Sequence, residues 1–260
     1  MKIREIIGAL EEFAPLSLQD SYDNAGLQIG LTEDAEATGA LLCLDVTEEV
    51  LDEAVRRGCN MVVSHHPLLF RPCKSITGAD YIERCVIKAI KNDIAVYSAH
   101  TNLDNAKDGV NYRIAQKLGL TDIAVLDPKR EDEGTGAGIV GQLAEPMSVQ
   151  AFMAHVAKVF GIEEGLRYVE GKRDMVQKIA ICGGAGADLV HEAIAQGADV
   201  YVSADFKYHE LQAACGQIAV VDMDHWVSEH YTREIFEEIL SPYIHTRVAK
   251  ADKSPVKFWR

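Results

Sequence analysis

Apolar residues recur along this chain with two spacings, one typical of amphipathic helices and one typical of buried strands. Near the amino terminus they recur every three or four positions, which predicts a helix over about residues 2–13. The runs Gly39–Asp45 and Met61–Ser64 are short and largely apolar, which predicts strands buried on both faces. Between these runs, Thr47 is a candidate N-cap and Gly58 a candidate C-terminal glycine, so we expect a helix there.

The same alternation of strand and helix signals continues through the rest of the chain. Asp80 and Glu83 have the spacing of a capping box, which predicts a helix that ends near Asn92. Strands that alternate with helices predict an α/β protein with much parallel sheet. Further helices are predicted from Gly109 to near Gly119, over Ser148–Phe160 and over Ser228–Leu240, and further strands over Ile94–Ser98, Ile139–Leu143, Lys178–Cys182, Val200–Ser203 and Ile218–Asp222.

Two observations predict that this α/β chain forms two related lobes with mostly parallel mixed sheets. Residues 127–138 contain a proline, four acidic residues and three glycines, which favours a linker or an exposed loop. A shift of 139 positions places Cys43 on Cys182 and aligns the strand and helix signals around them, which indicates two related β-α-β units. Chance matching between common α/β patterns is the alternative explanation. The expected lobes are residues 1–127 with 220–260, and residues 128–219.

Composition excludes several classes of function. The 260 residues carry a net charge of −14, which argues against bulk binding to nucleic acid or to anionic membranes. No apolar run approaches the roughly 20 residues of a membrane span, and the first residues lack the apolar core of a signal peptide. The six cysteines include no CxxC pair and are expected to be reduced cytosolic thiols, most of them small core residues. We therefore expect a cytoplasmic protein.

The most informative polar residues follow three of the predicted strands. Because the carboxyl ends of parallel strands open onto one crevice, residues that follow neighbouring strands are expected to converge there. Imidazoles combined with carboxylates suit first-row divalent metal ions, and one carboxylate can bridge two such ions. A single histidine or aspartate in a loop is more often structural, but the three clusters together favour a metal site. The candidate ligands are His65 and His66, His100 and Asp104, and His225 and Glu229.

Four segments resemble, in order, the motifs of the NIF-three family, whose bacterial members are often labelled GTP cyclohydrolase 1 type 2 homologs. The resemblance covers nearly the whole chain, from the first helix to the segment Pro255–Trp259. The segments are Asp23–Gly30 (DNAGLQIG), His65–Phe70 (HHPLLF), His100–Asp104 (HTNLD) and His225–Glu229 (HWVSE).

This resemblance implies a NIF-three-like fold and a centre of two divalent metal ions, drawn from Zn, Fe, Mn, Co or Ni. It also implies a ring-shaped homohexamer, a trimer of dimers, whose metal sites face an internal cavity. The extra domain that longer family members insert in mid-chain is not expected here. The ligands implied by the motifs are His65, His66, Asp104, His225 and Glu229.

The sequence departs from the family pattern at three positions, none of which is a ligand. Tyr22 stands where tryptophan is common, Ala204 stands where glycine is usual, and Asp224 stands where glycine commonly precedes the late histidine. Asp224 adds a negative charge beside the expected site, which could alter its preference for metals or substrates.

Two functions follow from a site of this kind. A metal-dependent hydrolase would use two ions to lower the pKa of a bridging water, whose hydroxide attacks a phosphoester, an amide or a purine-ring carbon of a small molecule. His100 or His209 would transfer protons in that enzyme, while a supporting role for His100 remains open. The alternative is a non-enzymatic metal-binding protein, such as a metal chaperone, a store or a regulatory scaffold.

Two further features allow a structural and a functional interpretation. Asp205, like His209, would either line the expected cavity or hold a loop together by hydrogen bonds. The glycine-rich segment Gly183–Gly186 precedes a predicted helix and could cradle a phosphate. It lacks the lysine of a P-loop, so a tight connection between strand and helix is favoured.

Overall fold

The computed structural model describes residues 1–30, 34–130 and 134–259 of the chain. In this part of the chain, strands and helices alternate and the strands form two sheets, which confirms the α/β fold class. The strands are β1 (Gly26–Ile29), β2 (Ala40–Cys43), β3 (Met61–Ser64), β4 (Ala95–Ser98), β5 (Thr121–Arg130), β6 (Thr135–Ser148), β7 (Arg167–Val169), β8 (Met175–Ala185), β9 (Val200–Ala204), β10 (Ala219–Asp222) and β11 (Thr246–Val248).

The helices begin and end mostly where the sequence signals place them. The Thr47 hydroxyl accepts a hydrogen bond from the Val50 amide, and Gly58 ends the same helix at a φ of 68°. No helix among the described ranges is both long enough and apolar enough to cross a membrane. The helices are α1 (Ile3–Phe13), α2 (Glu48–Arg57), α3 (Tyr81–Lys91), α4 (Thr101–Asp104), α5 (Val110–Lys117), α6 (Val149–Phe160), α7 (Val190–Ala195), α8 (Tyr208–Ala214), α9 (His225–Glu229) and α10 (Thr232–Leu240), with short 3-10 turns at Leu16–Leu18 and Ala187–Leu189.

The chain divides into two compact units. The first unit comprises residues 1–103 and 230–257, and the second comprises residues 104–229 with the last residues of the chain. Each sheet belongs to a single unit. The lobe boundaries that the sequence suggests, near residues 127 and 220, stay a prediction.

The sheet of the first unit has the strand order β1-β4-β3-β2-β11. Strands β4, β3, β2 and β11 are parallel, and β1 pairs with β4 in the antiparallel direction. Cys43 pairs with Ser64, and Ser64 pairs with Ser98, so three neighbouring strands end level with one another. The residues that follow these strands therefore emerge side by side at one edge of the sheet.

The sheet of the second unit is mixed, with the order β5-β6-β8-β9-β10-β7. Strands β8, β9 and β10 are parallel, whereas the remaining pairs are antiparallel. Ser203 pairs with Asp222, so the loops that follow β9 and β10 leave the same edge. Segments β2-α2-β3 and β8-α7-β9 both form parallel β-α-β units, as the internal sequence similarity predicts.

The linker or exposed loop predicted at residues 127–138 is wrong for the residues that the structure describes, because those residues lie mostly in strands β5 and β6. Strands β5 and β6 form an antiparallel hairpin in which Pro128 pairs with Gly136; residues 131–133 lie outside the described ranges. At Gly136, with a φ of 146°, a Cβ would overlap the carbonyl oxygen of Asp127. The glycine therefore permits the two strands to approach closely. Composition alone does not distinguish such a glycine from one in a linker or loop.

The single helix predicted over Ser228–Leu240 is also wrong, because the structure has two helices there, α9 and α10. The Ser228 hydroxyl lies inside the first of them, where it donates to the His225 carbonyl oxygen and accepts from the Gly184 amide. The first helix is thus fixed to the end of strand β8.

Candidate metal centre

Three imidazoles meet at the carboxyl edge of the first unit's sheet. His65 and His66 follow β3, and His100 follows β4. The ring centroid of His65 lies 5.2 Å from that of His66 and 5.2 Å from that of His100. Candidate ligand atoms of the three residues all lie within 4.8 Å of one another. This spacing allows the three side chains to converge on a bound cation.

The adjacent histidines lie past the regular end of β3, as the sequence predicts. Ser64 is the last residue of the strand, and its hydroxyl donates to the His66 carbonyl oxygen at 2.9 Å. The two imidazole planes are inclined by 43° to each other. The His65 residue is fully buried, whereas the His66 side chain retains 22% of its exposure, so His66 lies nearer to solvent.

In each of the three imidazoles, Nδ1 lies 2.8 Å from an oxygen acceptor. His65 pairs with the Ala99 carbonyl oxygen, His66 with the Asp45 carboxylate and His100 with the Asp23 carboxylate. Because carbonyl and carboxylate oxygens only accept, Nδ1 carries the proton and the lone pair of each neutral ring is on Nε2. Metal-binding histidines are commonly oriented by such an acceptor on the second ring nitrogen.

Asp23 is a charged anchor for this edge of the sheet. Its side chain is fully buried and accepts hydrogen bonds from His100 and from the amide and hydroxyl of Thr101. Burial by itself raises the pKa of Asp23, but the hydrogen bonds from His100 and Thr101 outweigh it and lower the pKa to about 2. The carboxylate is therefore ionised at neutral pH and favours a donating Nδ1 on His100.

The second unit holds an imidazole and a carboxylate in direct contact. His225 and Glu229 lie four residues apart on α9, and Nε2 of the first is 2.8 Å from Oε2 of the second. Nδ1 of His225 lies 2.8 Å from the Asp205 carboxylate. The orienting acceptor on Nδ1 therefore recurs at this histidine, and its Nε2 and the Glu229 carboxylate face the same point.

The glycine-rich end of β8, with Gly186 directly after it, packs against Glu229. Gly184 has a φ of 61°, and a Cβ there would overlap the Glu229 Oε1 atom. Three backbone amides of this glycine-rich segment donate hydrogen bonds to protein oxygens. This favours a tight connection between strand and helix rather than a phosphate-binding loop. These pairs are Gly183 with Asn111, Gly184 with Ser228 and Gly186 with Ser203.

Asp104 is tied to the same region of the second unit through Asn111. The Asn111 amide nitrogen donates to the Asp104 carbonyl oxygen at 3.0 Å, while its oxygen accepts from the Gly183 amide. Burial raises the pKa of the Cys182 thiol, and the carboxylates of Asp104 and Glu229 raise it further. Both predicted carboxylate ligands of this unit therefore lie close to Cys182, which is partly buried.

Asp224 and Asp205 flank His225 with backbones in the left-handed region, at φ values of 75° and 58°. Aspartate tolerates this conformation better than most residues other than glycine. The Asp224 carboxylate also accepts from the Val227 amide at 3.2 Å, which caps the start of α9. Asp224 is thus suited to a position where glycine is common, because both residue types can adopt the left-handed backbone conformation.

The structure gives the predicted proton-transfer residues different surroundings. His100 lies among the candidate ligands and has the same Nδ1 geometry as His65 and His66. His209 is exposed on α8, with contacts to Gln212 and to the Tyr208 ring of its own helix. Its role in proton transfer stays a prediction.

Sequence reasoning missed the orienting role of three aspartates. From the sequence alone, Asp205 is a cavity or loop residue, Asp23 is one residue of a motif, and Asp45 carries no signal of its own. Asp45 follows β2 at the same edge as the imidazoles, so a search for carboxylates after every strand would have found it.

The chain is similar to known proteins over nearly its whole length. Residues 1–255 match the family model described as Duf34/NIF3 (NGG1p interacting factor 3). A protein of Clostridium perfringens named GTP cyclohydrolase 1 type 2 homolog is 35% identical over 263 residues, covering 99% of this chain and 100% of the relative. Two solved structures are also similar over nearly their full length. A Bacillus cereus protein related to NIF3 has a TM-score of 0.90 at 27% identity and covers 100% and 99% of the two chains, and reduced HcgD from Methanocaldococcus jannaschii has a TM-score of 0.81 at 31% identity and covers 96% and 98%.

Proposed function

Because the chain belongs to the Duf34/NIF3 (NGG1p interacting factor 3) family, we propose that it is a divalent-metal-binding protein that acts as a metal-dependent hydrolase. One observation carries this proposal. In four imidazoles, an oxygen acceptor of another residue faces the Nδ1 atom. These are His65, His66, His100 and His225. At His65, His66 and His100 that arrangement keeps the lone pair of the neutral ring on Nε2, the form of histidine that binds a metal ion. At His225 both ring nitrogens face a carboxylate, so its Nε2 position beside Glu229 suits a proton or a metal ion between the two groups.

The donor set fits a first-row divalent ion. Imidazole nitrogen together with carboxylate oxygen suits Zn, Fe, Mn, Co or Ni, and cellular supply commonly decides among them. The contact between His225 and Glu229 supports this fit, because both side chains present ligand atoms to one point. We propose two ions per chain, as the family motifs imply, with ligands His65, His66, Asp104, His225 and Glu229.

Divalent ions held by these residues would supply a nucleophile, because a metal ion lowers the pKa of water bound to it. The chain's own contribution is to orient the imidazoles through Asp23, Asp45 and Asp205 and to hold their protons on Nδ1. The proposed substrate is a small molecule with a phosphoester, an amide or a nucleotide ring. The last of these rests on the name carried by the Clostridium perfringens relative.

Metal content per chain tests the proposal most directly. Elemental analysis would compare the natural protein with His66→Ala from the first unit and Glu229→Ala from the second, all purified without chelator. We expect close to two ions in the natural protein and one or none in either variant. The exposed His245 and His191 provide matched controls, and His245→Ala and His191→Ala are expected to keep the full metal content.

Two results would contradict metal binding at these residues: no stoichiometric metal in the natural protein, or a metal content that neither variant changes. Hydrolysis needs a separate test with metal-loaded protein on a panel of phosphoesters, amides and nucleotides across pH. A hydrolase should show an ascending limb as coordinated water loses its proton. Metal retention without any turnover on the panel would favour the alternative, a metal chaperone, store or scaffold.

A further inference from the structure

Two exposed aromatic rings lie beside the imidazole cluster of the first unit. Tyr22 retains 67% of its exposure and Phe70 retains 42%. Their ring centroids are 6.5 Å apart with the planes inclined by 69°, and the Phe70 centroid is 6.0 Å from that of His100 with the planes inclined by 89°. The aromatic pair thus continues directly from one of the candidate metal ligands.

Polar contacts hold together the two loops that carry these rings. The Asn24 amide donates to the Leu69 carbonyl oxygen at 2.7 Å, and the Leu69 amide donates to the Gln28 side-chain oxygen at 3.1 Å. The Gln28 amide in turn donates to the Asn24 carbonyl oxygen at 2.6 Å. Residues close in sequence to Tyr22 and Phe70 are therefore hydrogen-bonded to one another. The two rings are thus held in place before any ligand binds.

The same loop is fixed to the metal ligands through the residue next to Tyr22. Asp23 accepts from His100 Nδ1, so the backbone that carries the phenol ring is anchored to the imidazole. A ligand that contacts the Tyr22 and Phe70 rings would keep a constant distance from the Nε2 atom of His100. Such positioning is needed where a bond of a bound molecule must be placed against a reactive centre.

We propose that Tyr22 and Phe70 form a platform that binds a planar, conjugated ring of the substrate beside the metal ligands. This inference rests on the proposed function and names the substrate class of that site. Aromatic faces bind flat rings through offset and edge-to-face contacts that saturated rings do not match. Large aromatic side chains exposed side by side are unusual on a soluble protein and commonly mark a binding surface.

A matched pair of probes tests the platform. Benzohydroxamate and cyclohexanecarbohydroxamate carry the same metal-chelating group on a flat and on a puckered six-membered ring. Calorimetric titration of the zinc-loaded protein, with zinc content measured on the same samples, would give both affinities. We expect the flat probe to bind roughly three to ten times more tightly, the range that aromatic pairing gives.

The variants Tyr22→Leu and Phe70→Leu keep apolar bulk but remove the aromatic faces. Each is expected to reduce the preference for the flat probe toward equal binding while zinc content and melting temperature stay unchanged, because the replaced rings are exposed. Tyr243→Leu is the matched control, since Tyr243 is a similarly exposed tyrosine of the first unit, and it should keep the full preference.

The outcomes separate this inference from the proposed function. A protein that retains neither zinc nor any of the other four proposed ions overturns the proposed function and the platform with it. Three results with zinc retained would overturn the platform alone. They are equal affinity for the two probes, no binding of either probe, and a preference that both leucine variants preserve. A change of oligomeric state in these variants with probe preference intact would assign the rings to contact between chains, and would likewise overturn it.

Discussion

At the scale of single residues, the orienting aspartates make the sharpest prediction. The variant Asp23→Asn retains the shape of the side chain but removes the charge that His100 and Thr101 contact. We expect it to weaken metal binding by roughly 10- to 100-fold, the usual effect of losing a carboxylate that orients the groups around a metal site. Competition against a chromophoric chelator measures this affinity directly.

The control for that experiment is Asp52→Asn, which alters an aspartate whose ion pair with Lys88 lies on the surface. Its metal affinity should equal that of the natural protein. Unchanged affinity in Asp23→Asn as well would show that the buried carboxylate serves folding alone and has no part in binding the metal.

Gly184 provides a second prediction at this scale. In Gly184→Ala, the new methyl group would overlap the Glu229 carboxylate, and the left-handed backbone costs roughly 1–2 kcal/mol besides. We expect both a lower melting temperature and a lower metal content, since Glu229 must move. Gly197→Ala has a similar φ of 72° with open space around the new atom, so it isolates the backbone cost. Equal metal content in the two variants would contradict the role assigned to Gly184.

Residue types at strand ends could be predicted from the sequence, whereas their pairing could not. His65 and His66 were identified because an imidazole pair after a buried strand is rare enough to notice. The partnership of His66 with Asp45 depends on the register between β2 and β3, which no local pattern encodes. The hydrogen-bonded aspartates therefore became visible only with the strand order.

At the scale of secondary-structure elements, the start of α3 gives a prediction about pH. Asp80 caps this helix as the capping box predicts, but the Glu83 carboxylate reaches back beyond it, to the amides of Thr77 and Ala79 and to the Thr77 hydroxyl. These hydrogen bonds, first those from Thr77 and Ala79, lower the pKa of Glu83 to about 2. The carboxylate thereby fixes the segment that leads into the helix.

A depressed pKa makes the contribution of Glu83 depend on pH with a definite sign. The contribution is complete above the unfolded-state pKa, about 4.3, and is lost as the pH falls toward the folded-state pKa of about 2. We expect Glu83→Gln to lower the melting temperature at pH 7 and to differ progressively less from the natural protein as the pH falls from 4.5 to 2. Thermal melts across this range measure the difference.

Glu237→Gln, which changes an exposed glutamate on α10, serves as the comparison for these melts. Its melting temperature should follow that of the natural protein at every pH. A difference between Glu83→Gln and the natural protein that stays constant down to pH 2 would show that the hydrogen bonds, and not the charge, carry the effect.

Elements defined by local signals were predicted well, and those defined by distant contacts were not. Thr47, Gly58 and Ser148 mark helix ends through their own backbone and side-chain chemistry, and the structure has the ends there. The hairpin of β5 and β6 was not predicted. Its glycines allow a partner strand to approach closely, and composition does not distinguish them from the glycines of a loop.

At the scale of the whole molecule, the charge of the chain is expected to make its assembly depend on ionic strength. The resemblance to the NIF-three family predicts a homohexamer, and each chain carries a net charge of −14. Bringing six such chains together multiplies their mutual repulsion, which contacts between chains must overcome. Dissolved salt screens this repulsion over about 10 Å at 0.1 M, so the assembly should be more stable at moderate ionic strength than at very low ionic strength.

Sedimentation velocity and native mass spectrometry measure this prediction. One chain has a mass of 28.5 kDa, so we expect a species of six times that mass, about 171 kDa, at 0.15 M salt. Dilution into 0.01 M salt should shift part of the protein to smaller species, because the screening length grows to about 30 Å. A mass of one or two chains at both salt concentrations would contradict the hexamer. A hexamer equally stable in both would instead mean that acidic residues lie away from the contacts between chains, or are neutralised where chains meet.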